Sequence, residues 1–162
     1  MESIKRLYKI GFGPSSSHTM GPRKAAQMFL ERNPGAARYE VTLFGSLAAT
    51  GKGHLTDKAV VDVLSPAAPT DIIWKPDVVL PTHTNGMEFV AYDAAGNASK
   101  PWRAYSIGGG DIIEEGQERQ PSEMVYRMNK IKDILNWCTE TGHSYWEYVD
   151  MCEGSDIWDY LR

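Results

Sequence analysis

Gly13-Pro14-Ser15-Ser16-Ser17-His18-Thr19-Met20-Gly21-Pro22-Arg23 runs directly into Lys24-Ala25-Ala26-Gln27-Met28-Phe29-Leu30. Two Gly/Pro breaks bracket three serines, a histidine and a threonine, a run too polar for a core strand or a helix interior. It reads as a loop. The residues after it read as a helix over 22–30, because Pro22 suits a first helical turn, where its missing N–H costs nothing. The loop therefore brings Ser15, Ser16, Ser17, His18 and Thr19 to a helix N-terminus. Free backbone N–H groups and the positive end of the helix dipole favour a carboxylate or phosphate there. The hydroxyls add adjustable donors and acceptors, and His18 adds a group that moves protons near neutral pH. A plain cap needs one hydroxyl; this run offers four and an imidazole.

Outward from this stretch, helices and strands intermix. Ile4, Leu7 and Tyr8 recur at helical spacing and predict a short helix before the serine run. Asn33-Pro34-Gly35 stops the helix that follows it. Residues 39–44 alternate and are rich in strand formers. Residues 45–57 read as a loop or short helix, and Thr56 is placed to cap a helix through Leu64 with Ala59, Val60 and Val63 inward. Pro66 and Pro69 end it. Short apolar residues 78–80 read as a strand, and residues 86–93 and 102–107 as a hairpin around Ala95-Gly96-Asn97. Gly108-Gly109-Gly110 breaks that hairpin, and residues 111–120 read as a charged connector with a solvated acidic face. Residues 122–139 read as a helix with Met124, Met128, Ile131 and Leu135 at core spacing, ended by Gly142. Ser144 and Glu147 form a capping box for a last helix carrying Trp146, Val149, Ile157 and Trp158 and interrupted by Gly154. The expected class is α/β of the α+β type, a small mixed β-sheet covered by helices.

Composition narrows the function. The 162 residues fit one domain of ordinary size, and 42% hydrophobic content supplies a core. The net charge of −4 and scattered Lys and Arg argue against nucleic acid. No apolar run approaches the roughly 20 residues of a membrane span, and residues 1–9 lack a signal-peptide core, so the expected location is the cytoplasm. The two cysteines, Cys138 and Cys152, are far apart and make no C-x-x-C, so the chain alone does not supply a cluster or structural zinc. They read as buried or surface thiols.

Three other segments carry small residues suited to a site. Gly45-Ser46-Leu47-Ala48-Ala49-Thr50-Gly51-Lys52-Gly53-His54-Leu55-Thr56-Asp57 sets a lysine and a histidine among glycines that permit close backbone approach. Lys52 can pair with a carboxylate and Asp57 can orient His54. The segment is not a phosphate-binding P-loop: Ser46 stands where its first glycine belongs, and Gly53 where Ser or Thr belongs. Pro81-Thr82-His83-Thr84-Asn85-Gly86-Met87 follows the expected short strand, and Ser106-Ile107-Gly108-Gly109-Gly110 can form an anion nest. His143 has nothing convergent beside it. General acid–base work on a small polar substrate fits this set; a Ser-His-Asp hydrolase fits less well, because no G-x-S-x-G elbow occurs. A metal site from His18, His54 and His83 stays open on spacing alone.

These motifs, in this order, resemble the β domain of iron–sulfur-dependent L-serine dehydratases. The likeness is close over residues 1–112 and looser beyond. It implies a β-domain core at 1–112, and a connector with C-terminal helices at 113–162 that lead towards or dock on an α domain not present in this chain. It implies deamination of L-serine to pyruvate and ammonia, a lyase reaction of amino acid degradation. A [4Fe–4S] cluster, its ligands in the α domain or subunit, would act as Lewis acid on the serine hydroxyl. The family's β domain is similar to the serine-binding regulatory domain of phosphoglycerate dehydrogenases. By the same resemblance His54 is a candidate catalytic base and His18 holds substrate or shares proton transfer. Ser15, Ser16, Ser17 and Thr19 shape a carboxylate pocket, Lys52, Thr56 and Asp57 support His54, and Asn85 lines the site. L-serine and the cluster-bearing α part are the implied partners, within an oligomer. Two positions depart from the family's pattern: Thr84 replaces a proline, and Leu55 replaces a frequent glycine. The competing reading is a stand-alone L-serine or small-anion-binding regulatory module. A dehydratase component needs an apolar docking surface, which Trp146, Trp158 and Leu161 can supply, whereas a free sensor has no use for one.

Overall fold

The computed structural model describes residues 1–118 and 123–162. The chain divides into two units, Ile10–Arg119 and Met1–Lys9 with Gln120–Arg162.

In the first unit the alternation of Arg38–Phe44 (β1) buries Tyr39, Val41 and Leu43 on one side. β1 pairs in parallel with Thr70–Lys75 (β2) and antiparallel with Gly86–Tyr92 (β3). Trp102–Gly108 (β4) and Asp111–Glu114 (β5) extend the sheet, giving the order β2-β1-β3-β4-β5. This is the expected small mixed sheet. Gly21–Arg32 (α1) and Thr56–Leu64 (α3) cover it through Ala25, Ala26, Phe29, Val60 and Leu64, which join Tyr39, Val41, Leu43, Met87 and Phe89 in one core. Phe29 sits 5.2 Å from Phe89 and 5.9 Å from Trp102, ring centre to centre. Burying each such side chain stabilises by about 1.5–3 kcal/mol. A separate cluster of Phe44, Leu80 and Tyr105 packs with Ile107 and Ile113.

Several expectations are corrected here. The serine run is not a loop: Ser16–Met20 forms one π-helical turn continuous with α1, capped by the Ser15 hydroxyl, which accepts from the His18 N–H. Pro22 supplies the reason. It has no N–H for the carbonyl of His18 four residues earlier, and the wider turn leaves that carbonyl to accept from Thr56 Oγ1 at 2.6 Å. Thr56 accordingly does not cap α3, which begins after Leu55 with no side-chain cap. β2 lies in residues to which the sequence assigned no element, because a parallel partner for β1 becomes visible only after the crossover through α3. Residues 78–80 are not a strand; Leu80 instead packs with Phe44 and Tyr105. Residues 111–114 are not a solvated connector. Gly108, Gly109 and Gly110 all take positive φ, and the reversal returns Asp111–Glu114 to β4. Glu114 accepts from both Nη atoms of Arg32 at 2.9 and 2.7 Å and from Trp102 Nε1 at 2.7 Å. The bonds from Arg32 and then Trp102 pull its carboxyl down to about 2.

The second unit holds Ile131–Thr141 (α4), Tyr145–Glu153 (α5), Ile157–Leu161 (α6) and a 3-10 turn at Ile4–Arg6. The Ser144–Glu147 capping box is present, and Gly142 ends α4 in the left-handed region at φ 73°. Tyr126, Ile134 and Tyr148 form its core, and Ser3 Oγ and the Ile4 N–H bind the Glu153 carboxylate at 2.6 and 2.7 Å. The expected 122–139 helix is corrected: α4 begins only at Ile131, and Met124, Ile131 and Leu135 are exposed rather than core. Its expected start at Ser122, and residues 119–120 of the expected connector, lie outside the described residues. Among the described residues no helix is long and apolar enough to cross a membrane.

Candidate active site

The sheet order places four of the quoted motifs at one end. β1 ends at Phe44 and passes into Gly45–Thr50 (α2); β3 begins just after Asn85; β4, antiparallel to β3, sets Ser106 beside Asn85, whose carbonyl accepts from the Ser106 N–H at 3.0 Å. The π turn and the entry to α3 meet through two crossed hydrogen bonds. Thr19 Oγ1 donates to the His54 carbonyl at 2.8 Å, and Thr56 Oγ1 donates to the His18 carbonyl at 2.6 Å. Each threonine thus fixes the other segment's histidine, and the two imidazoles stand 4.9 Å apart, centre to centre.

The rings differ in their partners. His18 Nδ1 meets Ser17 Oγ at 2.9 Å and Nε2 meets Ser46 Oγ at 3.1 Å. Burial and then the neighbouring His54 push His18 below its ordinary value, while hydrogen bonding at Ser46 opposes them. His54 Nδ1 meets the Thr50 carbonyl at 3.1 Å. A carbonyl only accepts, so Nδ1 carries the proton and the neutral ring's lone pair is on Nε2. Nε2 has no hydrogen-bond partner among the described residues. Two imidazoles this close disfavour a double charge.

Among the other expected residues, Ser15 caps the π turn, Ser16 is exposed, and Thr19 is buried. Lys52 is exposed with its Nζ 5.6 Å from the centre of the Trp74 ring. Asp57 Oδ1 accepts from the Lys58 N–H at 2.8 Å; Thr50 rather than Asp57 meets His54 Nδ1. Asn85 is buried and donates from Nδ2 to the Ser106 carbonyl at 3.2 Å. Asn85 Oδ1 and Ser106 Oγ are buried without a hydrogen-bond partner among the described residues. A Cβ at Gly21 would collide with Ser106 Oγ, so only glycine fits at this helix entry. His83 Nδ1 accepts from the Asn85 N–H at 3.0 Å and serves the turn. Thr84, at the departure from the family's proline, accepts from the Ser46 N–H through its carbonyl at 3.2 Å. Leu55, at the other departure, takes the left-handed conformation at φ 57°, which a glycine occupies without steric cost. Sequence reasoning missed Ser46 and Ser106 as site residues; both stand inside the quoted motifs, and only the sheet order brings Ser46 to His18.

With this geometry in hand, comparison with known proteins is decisive. The serine dehydratase beta chain family matches over residues 3–72 and 62–117. The chain belongs to that family. It is 34% identical to an L-serine dehydratase of Streptomyces coelicolor over 188 aligned positions, covering 88% of this chain and 41% of that protein. It is 33% identical to L-serine dehydratase 1 of Escherichia coli, covering 89% of this chain and 41% of that protein. An L-serine dehydratase of Mycobacterium tuberculosis is 37% identical, covering 84% and 39%. The chain therefore spans about two fifths of the length of these relatives.

Proposed function

We propose that this chain is the β component of an L-serine ammonia-lyase and supplies substrate-binding and acid–base residues for conversion of L-serine to pyruvate and ammonia. The observation that carries the reading is the pairing of His18 and His54 at 4.9 Å, with Nε2 the unpartnered nitrogen of His54. His54 takes the Cα proton at Nε2, its tautomer fixed by the Thr50 carbonyl. Burial, and then the neighbouring His54, hold His18 below its ordinary value, so a charge on His18 is disfavoured beside the base. The hydroxyls of Ser15, Ser16, Ser17 and Thr19 hold or shape the carboxylate pocket, with Lys52 adding positive charge nearby. Thr56 fixes the His18 backbone, Asp57 belongs to the same α3 entry, and Asn85 lines the same sheet end.

The [4Fe–4S] cluster implied by the resemblance does not fit this chain's residues. Among the described residues no three His, Cys, Asp or Glu side chains form a metal-binding group, and Cys138 and Cys152 both lie in the C-terminal unit. We assign the cluster to an α domain or subunit, within an oligomer, and route no step through it. The exposed Trp146, Met151 and Leu161 of the C-terminal unit support a docking partner rather than a free sensor.

The test is to purify without oxygen the native polypeptide or complex carrying this sequence and to measure L-serine-dependent pyruvate release. Release is expected. Its absence from material that retains an intact iron–sulfur partner overturns the reading, and saturable L-serine binding without turnover then favours the regulatory module.

A further inference from the structure

We propose that Ser46 is the positioning residue for His18, and that α2 is the common frame orienting both imidazoles of the site. The proposal rests on the reading above for its catalytic consequence and on geometry alone for its structural part.

The main chain of Ser46 is fixed on both sides. Its N–H donates to the Thr84 carbonyl at 3.2 Å, and its carbonyl accepts from Thr50 Oγ1 at 2.9 Å. Gly45 before it lies at φ 49°, and a Cβ there would stand 2.6 Å from the Thr84 carbonyl oxygen. No other residue type enters α2 along this path without strain. The Ser46 hydroxyl is therefore presented from a rigid backbone, and it meets His18 Nε2 at 3.1 Å. On the far side of the ring Ser17 Oγ holds Nδ1 at 2.9 Å, and Ser15 Oγ follows at 3.5 Å. His18 is thus clamped at both nitrogens by hydroxyls, each able to donate or accept. One turn further along α2, the Thr50 carbonyl meets His54 Nδ1. Residues four apart share a helix face, so Ser46 and Thr50 set the two rings from one short helix. The clamp leaves His18 no nitrogen for the substrate's proton, which assigns proton abstraction to His54. The titratable neighbour acting on His18 is His54.

The test uses the full chain for spectroscopy and the assembled enzyme for rates, with Ser46→Ala, Ser46→Cys and Ser46→Thr. Cysteine nearly conserves volume but bonds weakly, and threonine keeps the hydroxyl. In nitrogen-15 NMR of the histidine rings, Ser46→Ala and Ser46→Cys are expected to move the His18 Nε2 resonance, while Ser46→Thr leaves it near wild type. In the assembled enzyme kcat for L-serine is expected to fall about tenfold in Ala and Cys, as loss of one hydrogen bond of about 1.4 kcal/mol implies, with KM within about twofold and activity restored by Thr. His18 resonances unchanged by Ala and Cys overturn the proposal, as does unchanged kcat with moved resonances. An assembled wild-type enzyme inactive on serine defeats the functional reading instead, and the NMR arm still decides whether Ser46 positions His18.

Discussion

The two units of this chain use their apolar residues differently. In Ile10–Arg119 the large side chains turn inward: Tyr39, Leu43, Phe29, Phe89 and Tyr105 are all fully buried between sheet and covering elements. In the unit formed by Met1–Lys9 and Gln120–Arg162, Ile131 is 67% exposed, Trp146 58% and Leu135 52%, around a small core of Tyr126, Ile134 and Tyr148. One unit turns its apolar surface to rigidity, and at its sheet end the two histidine-bearing segments are tied by crossed hydrogen bonds. The other keeps apolar surface outward, which fits docking. The lesson is that a unit that closes its core can hold polar side chains in fixed positions, whereas a unit with a small core leaves apolar surface uncovered.

The largest effect that sharpens this contrast is on stability. Phe89→Ala removes a buried ring packed at a tilt against Phe29 and Trp102 and is expected to cost about 3–5 kcal/mol, against about 0.5 kcal/mol or less for Leu135→Ala. Denaturant unfolding of the isolated chain measures both, and equal costs would break the comparison. Next is the anchor of β5. The Arg32–Glu114–Trp102 bonds lower the Glu114 carboxyl from 4.5 to about 2. A depressed acid stabilises fully above its ordinary value and loses that contribution as pH falls through the folded one. Glu114→Gln is therefore expected to cost about 1 kcal/mol at pH 7, reduced by the half-exposed Arg32, with the difference from wild type vanishing between pH 4.5 and 2. Thermal melts across that range check it, and a pH-independent difference contradicts it. The smallest effect is at Leu55. Relief of about 1 kcal/mol of left-handed strain in Leu55→Gly is nearly offset by glycine's entropy, so stability should stay within about 1 kcal/mol of wild type. Leu55→Val, branched at the same φ, should lose about 1 kcal/mol more. A Gly variant less stable than the Val variant would show that Leu55 contributes packing instead.

Legibility in the sequence followed the range of the forces. Alternation marked β1, β3 and β4, and local capping chemistry marked Ser144–Glu147, because the deciding contacts lie within a few residues. The π turn was not legible, since its form depends on Pro22 and on Thr56, a hydroxyl 38 residues from the His18 carbonyl it binds. β2 was hidden because Ile72, Ile73 and Trp74 show no alternation, and β5 because its acidic residues looked solvated until Arg32 and Trp102 are placed over them. At the site, the motifs that bring His18 and His54 together stood in the sequence. The expectation that Asp57 orients His54 was not legible correctly, because the Thr50 carbonyl of α2 meets the ring at Nδ1 and Asp57 turns to the Lys58 N–H.

In the proposed reaction His54, its Nδ1 held by the Thr50 carbonyl of α2, removes the substrate proton. The most direct measurement is L-serine-dependent pyruvate formation by the assembled enzyme carrying His54→Ala, alongside its thermal melt. A fall of about 10²–10⁴-fold with the melt unchanged is expected. Activity within a few-fold of wild type would contradict it.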